Sequence, residues 1–65
     1  MNASDARKIA IKGALEAIHE LIEQNAQKGL NYLDMSRYEG IYTSPEVYDK
    51  LRKEGYNIDG DMIYW

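Results

Sequence analysis

The chain reads as an α+β fold: a long N-terminal helix, one or more short strands, a second helix and a C-terminal β-hairpin in a small antiparallel sheet. Three observations predict it. Apolar residues recur at helical spacing through the first 28 residues, Ser44-Pro45-Glu46 is a helix-opening signature, and Asp59-Gly60 divides two short apolar runs near the end. A chain of 65 residues fills one small core, so a single domain over 1–65 is expected.

Residues 4–28 read as one amphipathic helix. Ile11, Leu15, Ile18 and Ile22 fall on one face with Ala14 and Leu21 beside them, while Lys12, Glu16, Glu20 and Glu23 point away. Asn2 or Ser4 caps the start, and Asp5 suits the positive end of the helix dipole. Gly29 follows Lys28 and takes the left-handed conformation that stops a helix. At ~1.5 Å per residue this helix is about 36 Å long, too long for a short sheet to cover. Part of it is expected to lack cover from its own chain.

A second stripe runs along the same helix. Ala6, Ala10, Gly13 and Ala17 gather within about 60° on a helical wheel. Glycine at position 13 costs ~1 kcal/mol against alanine, which close approach of another backbone would offset. Two occupants fit the stripe: the second helix of the same chain, or another protomer. In the second case these four residues are the oligomer interface.

Leu30–Met35 is extended in character, as is Gly40-Ile41-Tyr42, with a turn over Ser36–Gly40 between them; at least one strand is expected within 30–42. The second helix opens at Thr43-Ser44-Pro45-Glu46. Thr43 or Ser44 caps, Pro45 sits where its missing N–H is harmless, and Thr43 with Glu46 has capping-box spacing. Val47, Tyr48 and Leu51 form its buried face, and Gly55 ends it. Asp59-Gly60 then predicts a type I′ hairpin, with Tyr56 opposite Ile63 and Ile58 opposite Asp61. Tyr56, Ile58, Ile63 and Trp65 share the core face, and Asn57, Met62 and Tyr64 the other.

Composition excludes whole classes of function. Without cysteine there is no disulfide scaffold, thiolate zinc site or thiol nucleophile. A net charge of −3 argues against direct binding to nucleic acid or anionic lipid. The two signs balance over residues 1–28, so the deficit belongs to residues 29–65. No apolar run approaches a membrane span, and Arg7, Lys8 and Lys12 interrupt any signal-peptide core. A chain this short, with neither disulfide nor metal, is expected to gain stability as a homo-oligomer.

Ser44-Pro45-Glu46-Val47, Leu51, Gly55-Tyr56 and the closing Ile63-Tyr64-Trp65 together resemble a pattern found in small uncharacterised bacteriophage and virus proteins. In those proteins a helix precedes an L-S-P-E-V-x-x-x-L-x-x-x-G-Y segment and a terminal strand ending in tryptophan. The likeness covers residues 44–65 closely. Thr43 replaces the leucine, and Tyr48 an aliphatic residue. The resemblance implies this fold, a phage source and the host-cell cytoplasm as its location. It carries no known activity.

Candidate chemistry is sparse. His19 has Glu16 three residues before it and Glu23 four after, half of a di-metal motif, but no second histidine exists to complete a site. His19-Glu20-Leu21-Ile22-Glu23 departs from H-E-x-x-H at its last position. Ser36 and Ser44 have no base. No enzyme, metal or cofactor is expected.

Tyrosine is the informative excess: there are six and no phenylalanine. Tyr32, Tyr38, Tyr42 and Tyr48 crowd one segment around Arg37, a composition typical of interface hot spots and of pockets for a base and its phosphate. They equally suit the half-buried margins of a small core. Lys50, Arg52 and Lys53 form a basic patch expected beside the Lys28 end of the first helix, where Arg52 and Lys53 could add cations to an anionic ligand. Asp34, Glu39, Glu46, Asp49, Asp59 and Asp61 could instead meet a basic partner. The expected function is a non-enzymatic phage accessory protein acting by stoichiometric binding. It would inhibit a host or antiviral-defence protein, or sequester a small nucleotide signal. The alternative is a virion decoration or assembly protein.

Overall fold

Each helix begins and ends where local chemistry stops the chain. The computed structural model describes residues 1–65 throughout. Helix α1 spans Ala3–Gln27. Asn2 caps it, its side-chain oxygen accepting the Asp5 N–H at 2.9 Å. At the far end the N–H groups of Gly29 and Leu30 donate to the carbonyls of Ala26 and Asn25 at 2.9 and 3.0 Å. Helix α2, Pro45–Lys53, closes in the same way. Gly55 and Tyr56 donate to Arg52 and Leu51 at 3.0 and 3.2 Å. Both are Schellman motifs, with Gly29 at φ +84° and Gly55 at φ +101° in the left-handed position that side chains resist.

The start of α2 differs from expectation. Ser44 is the N-cap, its hydroxyl accepting the Val47 N–H at 3.4 Å. That places Val47 at the third helical position, where a capping box needs an acid or amide, so Thr43 and Glu46 form no box.

Strand β1 (Tyr32–Asp34) lies between the helices in the chain, and β2 (Asn57–Asp59) and β3 (Met62–Tyr64) follow α2. They form one antiparallel sheet in the order β1-β3-β2. A single 3₁₀ turn, Met35–Arg37, follows β1. Gly40-Ile41-Tyr42 is not a strand. The Tyr38 N–H bonds to the Met35 carbonyl at 3.0 Å and the Ile41 N–H to that of Tyr38 at 3.1 Å. These successive turns curl the segment and lay Tyr38 and Ile41 against the core.

The hairpin turn lies one residue later than expected. Ile58 pairs with Ile63 and Asp59 with Met62, so Gly60 and Asp61 make the turn. Gly60 has φ +59° and Asp61 does not have a positive φ, the sign pattern of a type II′ turn rather than I′. The faces survive this correction. Moving a two-residue turn by one place leaves the same alternate residues on the same side, so Tyr56, Ile58, Ile63 and Trp65 still share one face.

The core joins all the elements. Ile11, Ala14, Ile18 and Ile22 of α1 pack with Leu33 and Ile63 of the sheet, Val47 and Leu51 of α2, and Met35. Ile18, Leu33, Val47, Leu51 and Ile63 are fully buried, each contributing ~1.5–3 kcal/mol in transfer free energy. The two helices run in the same sense. Glu46 and Lys50 stand beside Lys8–Leu15, and Glu54 reaches His19. Two further ties hold the ends: the Asn25 side-chain amide donates to the Tyr32 carbonyl at 2.9 Å, and the Trp65 N–H to that of Asn31 at 3.0 Å.

Part of α1 does lack cover. Residues 1–9 are exposed, with Ile9 at 58%, and the molecule measures 41 × 19 × 18 Å. The first two turns of the helix therefore overhang the body. No helix is long and apolar enough to cross a membrane.

Candidate functional site

Two uncovered faces stand out, one on α1 and one on the sheet. The α1 face is the small-residue stripe. Ala6 and Gly13 are exposed, and Ala10 and Ala17 are partly covered. A Cβ added at Gly13 would meet nothing within 4 Å, so no backbone of the same chain approaches it. Helix α2 packs elsewhere, which removes it as the occupant of this stripe. A shallow groove instead runs along Ala10, Gly13 and Ala17, walled by Gly40, Ile41 and Tyr42. Tyr42 is 39% exposed.

The remaining tyrosines divide among neighbouring clefts. Tyr32, Arg37 and Tyr38 come together with Lys28 and Asp34 between the end of α1 and β1. Tyr38 also borders a second hollow with Tyr48, Ile41 and Asp61. Tyr48 and Arg52 line a third with Ser44 and Pro45. Tyr38 and Tyr48 thus link the three, each half-buried. No tyrosine hydroxyl finds a partner within the chain.

The basic residues of α2 do not gather beside Lys28. Because the helices run in the same sense, Lys50 joins Lys8 and Lys12 around Ile11 and Leu15, opposed by Glu46. Arg52 pairs with Asp49 at 3.0 Å on its own helix, and Lys53 is exposed and makes no ion pair.

Asp34 is the most constrained charge. It accepts the Ser36 hydroxyl at 2.6 Å and the Ser36 N–H at 3.0 Å. Those bonds, hydroxyl first, hold its carboxyl below the ordinary value of 3.8, with a smaller contribution from Arg37. The Arg37 guanidinium stands 3.9 Å away. His19, partly exposed, reaches across to α2. Its Nε2 lies 2.9 Å from Glu54 Oε1, and its ring is 6.5 Å from that of Tyr56. Tyr56 in turn meets Trp65 edge-on at 6.3 Å.

The second uncovered face is the outer side of the sheet. Leu33, Ile58 and Ile63 point inward, so alternation turns Tyr32, Tyr64 and Asn57 outward in one row, and Asp34, Met62 and Asp59 in the next. Tyr32 is 39% exposed and Tyr64 36%. Tyr64 and Met62 are the members that the tyrosine-rich segment does not contain. The hairpin alternation already placed both away from the core; the pairing of β3 with β1 was needed to set Tyr64 opposite Tyr32. Comparisons with known protein families, with curated proteins and with solved structures return no match.

Proposed function

We propose that this protein works by stoichiometric binding rather than catalysis, as a homo-oligomer joined through Ala6, Ala10, Gly13 and Ala17. The observation that carries the reading is the bare Gly13 position on the exposed side of α1, since a Cβ there meets nothing and the ~1 kcal/mol that a helical glycine costs is not offset by close packing in its own chain. Charge supports a second copy of α1 as the occupant. Arg7, Lys8 and Lys12 lie in its first half and Glu16, Glu20 and Glu23 in its second. That order gains little from the helix dipole, and the last turn carries no base. An antiparallel copy centred on the stripe, between positions 11 and 12, sets Arg7 of each chain level with Glu16 of the other.

The tyrosine surfaces around Tyr38 and Tyr48 remain for a heterologous partner. Together with the resemblance of residues 44–65 to phage proteins, they support an accessory protein that blocks a host or defence component in the host-cell cytoplasm. A nucleotide ligand is the second reading, favoured by the cleft that joins Arg37 and Lys28 to Tyr32 and Tyr38. Asp34 in the same cleft opposes a phosphate.

Sedimentation of the pure protein tests the assembly. A dimer or higher oligomer at ~100 μM that Gly13→Leu dissociates is the expected result. A strict monomer refutes it. A thermal-shift panel of nucleotides decides the second reading, since a ligand at 100-fold its Kd adds ~2.7 kcal/mol. Abundant copies in purified virions would favour a decoration role instead.

A further inference from the structure

We infer that the outer face of the sheet is a docking surface for a cationic, arginine-bearing peptide segment. This rests on the binding reading above and names the chemistry of one partner. The register makes the face. Tyr32 and Tyr64 stand directly opposite one another, and Met62 lies between Asp34 and Asp59 in the adjoining row. With strands ~4.8 Å apart, the two carboxylate-bearing positions are about 10 Å apart across Met62. Tyr32, Tyr64, Asn57 and Asp59 are exposed, Asp34 and Met62 are partly covered, and neither tyrosine hydroxyl has a hydrogen-bond partner within the chain.

Charge selects the occupant. Asp34 and Asp59 flank the face on either side of Met62, and Asp61 follows at the turn. Lys28 and Arg37 border Asp34 and Tyr32, whereas Asp59 and Asp61 have no ion-pair partner, so the uncompensated charge lies at the Asp59 end beside Tyr64. A second copy of the chain would bring like charges together, so this face does not self-associate as the α1 stripe does. A polyphosphate backbone is repelled for the same reason. An arginine fits both halves of the surface: its guanidinium forks onto a carboxylate and stacks on a tyrosine ring. Lysine offers a point charge without the fork or the planar stack.

The test is a calorimetric titration with nona-arginine and nona-lysine at low salt, where surface charge is least screened. Nona-arginine is expected to bind the wild type several-fold more tightly than nona-lysine. Asp59→Asn and Tyr64→Leu should each weaken it about tenfold. Tyr64→Phe, which keeps the ring, should bind like the wild type. Glu20→Gln, which removes the same charge from α1, should change affinity less than twofold. Circular dichroism confirms that each variant is folded. Absence of binding at ~1 mM overturns the inference, as does an equal loss in Glu20→Gln or wild-type affinity in Tyr64→Leu. Oligomeric state is read separately by sedimentation, so a failed titration beside an intact oligomer removes the sheet-face assignment and leaves the assembly standing.

Discussion

Replacing Gly13 by alanine should change the stability of this protein in opposite directions according to its concentration. In a single chain the new methyl group meets nothing within 4 Å, so no steric cost arises. Position 13 lies inside α1, where alanine is favoured over glycine by ~0.8–1 kcal/mol. For a domain of this size, 1 kcal/mol corresponds to a shift of roughly 4–8 °C in Tm. Dilute protein, below its dissociation constant, should therefore melt higher by about that amount. If a partner helix packs its backbone against the stripe, the same methyl group separates the two helices and weakens association. At high concentration the gain should shrink or reverse. Thermal melts followed by circular dichroism from ~1 to ~300 μM, with sedimentation at each end, measure both effects. A uniform gain across the range would refute the packed stripe. A loss in the dilute sample would refute the open geometry around Gly13.

Other substitutions test the fold more directly. Ile18→Ala removes a side chain with no exposed surface between α1 and the sheet, and should cost ~2–5 kcal/mol in urea unfolding, enough to abolish folding in so small a domain. Gly55→Ala places a Cβ at φ +101° in the Schellman motif of α2, and should lower stability by about 1–2 kcal/mol although the site has open space. Ser36→Ala removes the hydroxyl that holds Asp34 ionised. A depressed carboxylate stabilises the fold above its unfolded value and loses that contribution as pH falls through its folded value. Wild type should therefore exceed Ser36→Ala near pH 6, and the difference should shrink as pH falls below 3.8 and through the folded value. A pH-independent difference would mean that Ser36 acts through packing.

Much of α1 was legible because its signals are local: an asparagine cap, a 3.6-residue apolar repeat and a terminal glycine. The core face of the hairpin was legible as well, because alternation outlasts a one-residue error in the turn. Asp59-Gly60 pointed to a type I′ turn, but the pairing of β3 with both neighbours fixes Ile63 opposite Leu33 and Ile58, and the turn follows at Gly60-Asp61. The contacts that were not legible are non-local. Nothing in the spacing of His19 or Glu54 tells that α1 and α2 run in the same sense, which brings those two side chains to 2.9 Å and carries Lys50 toward Lys8 and Lys12. The tyrosine-rich segment looked like one surface because its members are close in sequence. Curling at Tyr38 and Ile41 distributes them among several hollows, while Tyr32 gains a neighbour, Tyr64, from the far end of the chain.

The overhang of α1 has a consequence for hydrogen exchange. One unbroken helix contains two thermodynamic regimes. Amides from Ile11 to Ile22 open only with the core, whereas those of the first two turns are protected by helical hydrogen bonds alone and exchange through local fraying. The protein thus carries its own gauge of occupancy. Any molecule that settles along the exposed end of α1 should slow exchange at residues 6–10 toward that of the core, and the steepness of that gradient reports how much of the helix is covered.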